Sequence, residues 1–156
     1  MNNHLKMFIY PGKLHASKIP YVLNTILGSC VAICLWDETQ QIGGMNHYML
    51  PLWNGEGLAS PKYGDVAIER LLNKMLQLGS LRSNIEAKIF GGASVISTKN
   101  DLYNIGQRNI QIAEEMLAKE NIKIIASSVG GNHGRKILMN TSNFQIKHKF
   151  IEKKNF

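Results

Sequence analysis

The apolar residues of this chain recur first in short runs or strand-like alternation, and only in its second half with helical spacing. Residues 5–10 read as a strand closed by the Pro11-Gly12 turn. Residues 21–27 follow as a further extended segment. From Val31 to Trp36 no side chain is charged, and β-branched, aromatic and small apolar residues fill the run, which is how a buried strand reads. The polar stretch 37–41 fits a hairpin turn. Residues 42–50 are then its returning strand, in which Gly43 and Gly44 permit a bulge or a close backbone approach. Residues 51–61, with Asn54, Gly55, Gly57 and Ser60, carry no period and form a loop that either walls a site or merely connects.

Helical spacing begins at Ile68, Leu71, Leu72, Met75 and Leu76, which recur at i, i+3, i+4, i+7 and i+8. They predict a helix over 65–78 with Asp65 as its cap and Gly79 as its stop. A second helix is predicted over 106–120, with Ile110, Ala113, Met116 and Leu117 on one face. Residues 86–90 form a short strand closed by Gly91-Gly92, and residues 93–104 a loop. Residues 122–127 predict another buried strand, broken at Gly130-Gly131, after which 136–139 resume an extended course. Phe144, Ile146, His148 and Phe150 alternate with Gln145, Lys147 and Lys149, the period of a half-exposed strand. More strand than helix, with both helices late in the chain, argues an α+β or mixed α/β fold. At 156 residues, the simplest organisation is one domain spanning 1–156.

Composition narrows the function classes. Hydrophobic content of 44% with 19% charged residues is ordinary for a globular protein. No apolar run approaches the ~20 residues of a membrane helix, so no membrane insertion is expected. The first residues lack the basic start and apolar core of a secretory signal, and two cysteines too far apart to pair fit a reducing cytoplasm. A formal charge of +7 raises nucleic acid as a partner. Yet the basic residues are scattered, except for Lys147, Lys149, Lys153 and Lys154, and no recognised nucleic-acid motif surrounds them. Attraction to an acidic protein surface is the more useful reading. The glycine-rich stretches match no phosphate-binding fingerprint, and no His, Cys or acid cluster has metal-ligand spacing. Neither a cofactor nor a metal is implied.

The chemistry-bearing residues lie in the hairpin. Its closure near 37–41 places Cys30 roughly opposite His47, where Cβ atoms approach to ~5 Å. A thiol and an imidazole so placed suit ion-pair activation of the sulfur. Gly28 and Ser29 leave the backbone before the thiol open, so that amides there can serve as an oxyanion hole. Cys34 is the internal control: it lies ~13 Å along the strand from Cys30, too far for a disulfide. From these residues alone two readings stay open, since a lone Cys in an apolar run is more often a small buried hydrophobe.

The segment LGSCVAICLWD followed by IGGMNHYMLP resembles the signature of the chemoreceptor glutamine deamidases, the CheD family of bacterial chemotaxis. Lys62-Tyr63-Gly64-Asp65, the run from Ala87 to Ala93, Ile105-Gly106-Gln107-Arg108-Asn109 and the run from Gly130 to Lys136 resemble later blocks of that family, in its order. The resemblance covers roughly residues 10–151. It implies a layered α/β/β sandwich and hydrolysis of receptor glutamine side chains to glutamate. It also implies Cys30 as nucleophile, His47 as base, and a threonine shortly before the Gly-Ser-Cys step as orienting group. Thr25 is that candidate. Some members carry theirs one residue earlier, where Asn24 stands here, so the third position lies between the two. The implied partners are the cytoplasmic helices of methyl-accepting chemoreceptors and a CheC-type phosphatase. The rival readings are a non-catalytic chemotaxis adaptor and a basic nucleic-acid-binding module.

Overall fold

The computed structural model describes residues 4–94 and 104–152. Among the described residues nine strands and two α-helices follow one another: β1 (Leu5–Phe8), β2 (Leu14–Ser17), β3 (Tyr21–Leu27), β4 (Val31–Asp37), β5 (Ile42–Asn46), α1 (Gly64–Gln77), β6 (Ile85–Gly91), α2 (Ile105–Lys119), β7 (Lys123–Val129), β8 (Gly134–Asn140) and β9 (Gln145–Ile151). They build two sheets. One has the order β1-β3-β8-β9 and the other β2-β5-β4-β6-β7.

The central strand β4 explains the layering. All its residues are buried, and successive side chains point to opposite faces. Val31, Ile33 and Leu35 join a core with Ile68, Leu71 and Met75 of α1 and Ile110, Ala113 and Leu117 of α2. Ala32, Cys34 and Trp36 face the other way, into a second core with Leu23 and Leu27 of β3 and Ile137 and Met139 of β8. One strand therefore binds a helical layer on one face and a second sheet on the other. The fold is an α+β sandwich of α/β/β layers, as the resemblance implied.

Several elements differ from the sequence reading. Strand β2 was not anticipated; it is a four-residue edge strand pairing with β5, too short to show alternation. Strand β7 is mostly exposed rather than buried. It is the last strand of its sheet, parallel to β6, so only Ile124 and Val129 pack against the core. Asp65 does not cap α1. Tyr63 occupies the cap position without a side-chain bond, while the Asp65 carboxylate accepts from the Trp53 amide at 3.0 Å and ties the 51–61 loop to the helix. In α2 the cap is Asn104, whose Oδ1 accepts from the Gln107 amide at 3.1 Å. The reading of 93–104 as a loop falls for the most part on residues outside those described.

Gly43 and Gly44 make a close approach rather than a bulge, since the β4–β5 register runs through them without a shift. A Cβ on Gly44 would lie 2.7 Å from the His15 carbonyl oxygen and 2.9 Å from the Leu71 side chain. The glycine lets α1 settle onto β5.

Candidate active site

Cys30 precedes β4, where β3 has ended and the chain crosses between sheets through Gly28 and Ser29. Its backbone is gripped from several sides. The Gly28 carbonyl accepts from the Ala93 amide and the Cys30 carbonyl from the Gly92 amide, each at 2.9 Å. The Ser29 carbonyl accepts from Nδ2 of Asn109 at 3.0 Å. Among the described residues, no carbonyl accepts from the amides of Ser29 or Cys30. Gly91 is required here: a Cβ on it would stand 2.2 Å from the Cys30 carbonyl oxygen, and its φ is +108°. The guanidinium of Arg135, buried between the sheets, braces this glycine turn. It donates to the Gly91 carbonyl at 2.8 Å and the Gly130 carbonyl at 2.6 Å.

The hairpin register differs from the expected one. Cys34 pairs with Met45 and Val31 bridges Tyr48, so Ala32 rather than Cys30 faces His47. The slip is an even number of residues, which preserves the face. Cys30 packs against the same inter-sheet core as Ala32 and Cys34. It is a diagonal neighbour of His47, a spacing an aromatic ring can span.

Thr25, fully buried in the middle of β3, brings the third group. Its hydroxyl oxygen lies 2.6 Å from the Ile9 carbonyl oxygen and 2.7 Å from Nδ1 of His47. Nδ1 also lies 3.3 Å from the Ile9 carbonyl oxygen. A carbonyl can only accept, so Nδ1 carries the imidazole proton and the Thr25 hydroxyl, donating to Ile9, accepts from it. The lone pair is then on Nε2, which is buried and has no partner among the described residues. Asn24 points to the opposite sheet face, where Nδ2 donates to the Met7 carbonyl at 3.2 Å. Of the two candidates for the third position, the fold joins Thr25 to His47.

The electrostatics favour uncharged partners. Burial pushes the Cys30 thiol above its ordinary value, and its own backbone amide opposes that in part. Burial holds the His47 imidazole below its ordinary value, opposed in part by the bond to Ile9. Both shifts work against a thiolate–imidazolium pair. Cys34 is wholly buried, and its thiol is pushed up much further than that of Cys30.

Sequence reasoning passed over Asn109 and Arg135 as site residues. The signal for Asn109 was present: a carboxamide stands in line with Gly106, Ile110, Ala113 and Leu117 on the buried face of α2. Among the described residues no His, Cys, Asp or Glu group could hold a metal ion, and no helix is long and apolar enough to cross a membrane.

Comparison with known proteins identifies the family. The family described as "CheD chemotactic sensory transduction" matches residues 49–150. A Trichlorobacter lovleyi protein named probable chemoreceptor glutamine deamidase CheD is 51% identical over 136 residues, covering 87% of this chain and 84% of its own. A Sulfurimonas denitrificans protein of the same name is 46% identical over 153 residues, covering 97% of each. A solved structure, the Bacillus licheniformis hypothetical protein YfiH, shares a TM-score of 0.47 at 16% identity over 72% of this chain and 50% of that one, too little to carry an argument. These likenesses place the chain among proteins of chemotactic sensory transduction. The chain belongs to the CheD family.

Proposed function

We propose that the protein deamidates glutamine side chains on methyl-accepting chemoreceptors, converting them to glutamate with release of ammonia. The observation that carries this reading is the buried His47, whose Nδ1–H is held by Thr25 and Ile9 and whose Nε2 is free to take a proton, on the sheet face that carries Cys30.

In the mechanism that follows, Nε2 of His47 removes the Cys30 proton as sulfur attacks the glutamine Cδ. Burial opposes the charged forms of both groups, which favours proton transfer in step with attack. The C=O electron pair moves onto oxygen, where the amide of Cys30, with that of Ser29, donates to the oxyanion. The imidazolium passes its proton to the departing nitrogen. The C–N bond breaks, ammonia leaves, and a thioester remains. A water molecule, deprotonated by His47, then attacks the thioester; the C–S bond breaks, the thiol regains its proton, and glutamate is left. Thr25 keeps the ring in the tautomer that presents Nε2.

The reaction belongs in the cytoplasm, where receptor signalling helices lie, and a CheC-type phosphatase is a second partner on the family resemblance. Incubating the protein with a receptor cytoplasmic fragment, followed by peptide mass spectrometry, tests the activity. Gln-to-Glu conversion at defined sites is expected, and is lost in Cys30→Ala. Intact glutamines with full receptor binding would instead identify a non-catalytic adaptor.

A further inference from the structure

We propose that Asn109 is a positioning residue that sets the amide of Cys30 as the oxyanion donor and fixes the distance between the cysteine loop and the His47 strand. The inference rests on the deamidase reading of Cys30 and His47. Asn109 is completely buried in α2 and its one carboxamide nitrogen is shared between two carbonyls. Nδ2 donates to the Ser29 carbonyl at 3.0 Å and to the Met49 carbonyl at 3.0 Å. The first belongs to the residue before Cys30, the second to the residue two beyond His47. Tyr48, between them in space and bridged to Val31, donates its hydroxyl to the Asn109 backbone carbonyl at 2.6 Å. The helix is thereby locked to the strand as well as the strand to the loop.

The geometry of the peptide unit gives this bond its chemical meaning. The Ser29 carbonyl and the Cys30 N–H belong to one planar trans peptide and point in opposite directions. Holding the carbonyl toward α2 turns the Cys30 N–H away from the helix, and that amide holds the thiol down in part against burial. Next along the chain, the Gly92 amide fixes the Cys30 carbonyl at 2.9 Å. The two peptide planes flanking Cys30 are thus set by Asn109 on one side and Gly92 on the other. A helix filled only with apolar residues at this position would leave both part-buried carbonyls without this donor, and the Cys30 peptide without this hold on its orientation.

The test compares Asn109→Ala and Asn109→Asp, the latter keeping the side-chain volume while removing both donors. Ile122→Val, a core trim just beyond α2, serves as the stability control. Three quantities are read at a temperature where circular dichroism shows the variants folded: kcat and KM on a receptor fragment, and the pH profile of Cys30 alkylation by iodoacetamide. The expected result is a fall in kcat of about 10²-fold, the scale of a misplaced oxyanion donor, with KM nearly unchanged. The alkylation midpoint should move to higher pH, because the amide that favours the thiolate has turned away. Activity that falls only with the folded fraction, as in Ile122→Val, together with an unmoved alkylation profile, would overturn the inference. If the unaltered protein leaves receptor glutamines intact while the Asn109 variants still shift the alkylation midpoint, the reaction assignment fails and the positioning role stands.

Discussion

At the scale of single residues, two cysteines four positions apart carry opposite fates. Both face the inter-sheet core, but Cys34 is enclosed by it while Cys30 lies at its margin, partly exposed. Iodoacetamide at neutral pH should label Cys30 and spare Cys34. Cys30→Ala should abolish deamidation with little loss of stability. Cys34→Ala should retain activity while losing about 1 kcal/mol of stability from the cavity it leaves; labelling of Cys34 first, or an active Cys30→Ala, would remove Cys30 from the mechanism. His47→Ala should lower kcat by about 10²–10⁴-fold, the range for a lost general base. Thr25→Ala should lower it less, since Nδ1–H keeps the Ile9 carbonyl, and Asn24→Ala less still.

The same histidine makes a prediction about pH. Burial holds its folded pKa below the ordinary 6.5, so the unfolded chain takes up a proton that the folded one refuses. Stability contributed by neutral His47 is present above pH 6.5 and is lost as pH falls through the depressed folded value. His15 and His148 are shifted down as well, chiefly by burial and secondarily by Lys74 and Arg135 respectively. The melting temperature should therefore fall as pH is lowered from neutral into this window. His47→Gln should flatten part of that fall, the rest belonging to the other two. A melting temperature that rises on acidification in this range would contradict the assignment.

At the scale of elements, what the sequence revealed depended on how many faces an element buries. Strand β4 buries both faces and shows as an uncharged run; α1 buries one and shows as a helical stripe. The hairpin was legible for the same reason, and with it the placing of Cys30 and His47 on one face, though not opposite each other. The exact register was not legible, because it depends on where a polar turn closes, and residues 37–41 carry no glycine to fix the turn type. Nor could periodicity separate Thr25 from Asn24. That choice depends on which face of β3 meets the second sheet, and its answer lies in β8, over a hundred residues later: Thr25 pairs with Ile137, whose neighbour Met139 shares its core. The bracing of the cysteine loop by Gly91, Asn109 and Arg135 is likewise tertiary. Glycine substitutions test it at the element level. Gly44→Ala should cost about 1–3 kcal/mol in urea unfolding, the scale of overpacking, since the Cβ would meet the His15 backbone. Gly91→Ala should lose stability and activity together, because its Cβ would strike the Cys30 carbonyl. Equal stability of Gly44→Ala and the parent would mean that α1 does not rest on that glycine.

At the scale of the whole molecule, charge is segregated by layer. None of β1, β3, β8 and β9 contains an Asp or Glu. With Leu23, Ile137, Met139 and Ile146 turned to the core, alternation and register put Lys6, Lys136, Lys147 and Lys149 on the outer face of that sheet. The basic cluster expected as a tail is thus, at Lys147 and Lys149, part of a strand, while Lys153 and Lys154 lie outside the described residues. These lysines carry no carboxylate neighbour within their sheet, so their field reaches solvent undiminished by partners. If deamidation occurs on acidic receptor helices, this face contributes to drawing the substrate in. Such attraction acts over about one Debye length, ~8 Å at physiological ionic strength, and weakens as salt rises. The apparent KM for a receptor fragment should therefore rise with salt while kcat changes little, since the buried His47 and Thr25 are screened far less. Replacing Lys136, Lys147 and Lys149 by Gln should raise KM at low salt and flatten its salt dependence, with kcat preserved. Free glutamine, which has no acidic surface and little remote binding energy to position its amide, should be a poor substrate whose turnover ignores salt. A salt profile unchanged in the triple variant would remove this face from docking, and equal turnover of free glutamine and receptor fragment would remove the receptor as the preferred substrate.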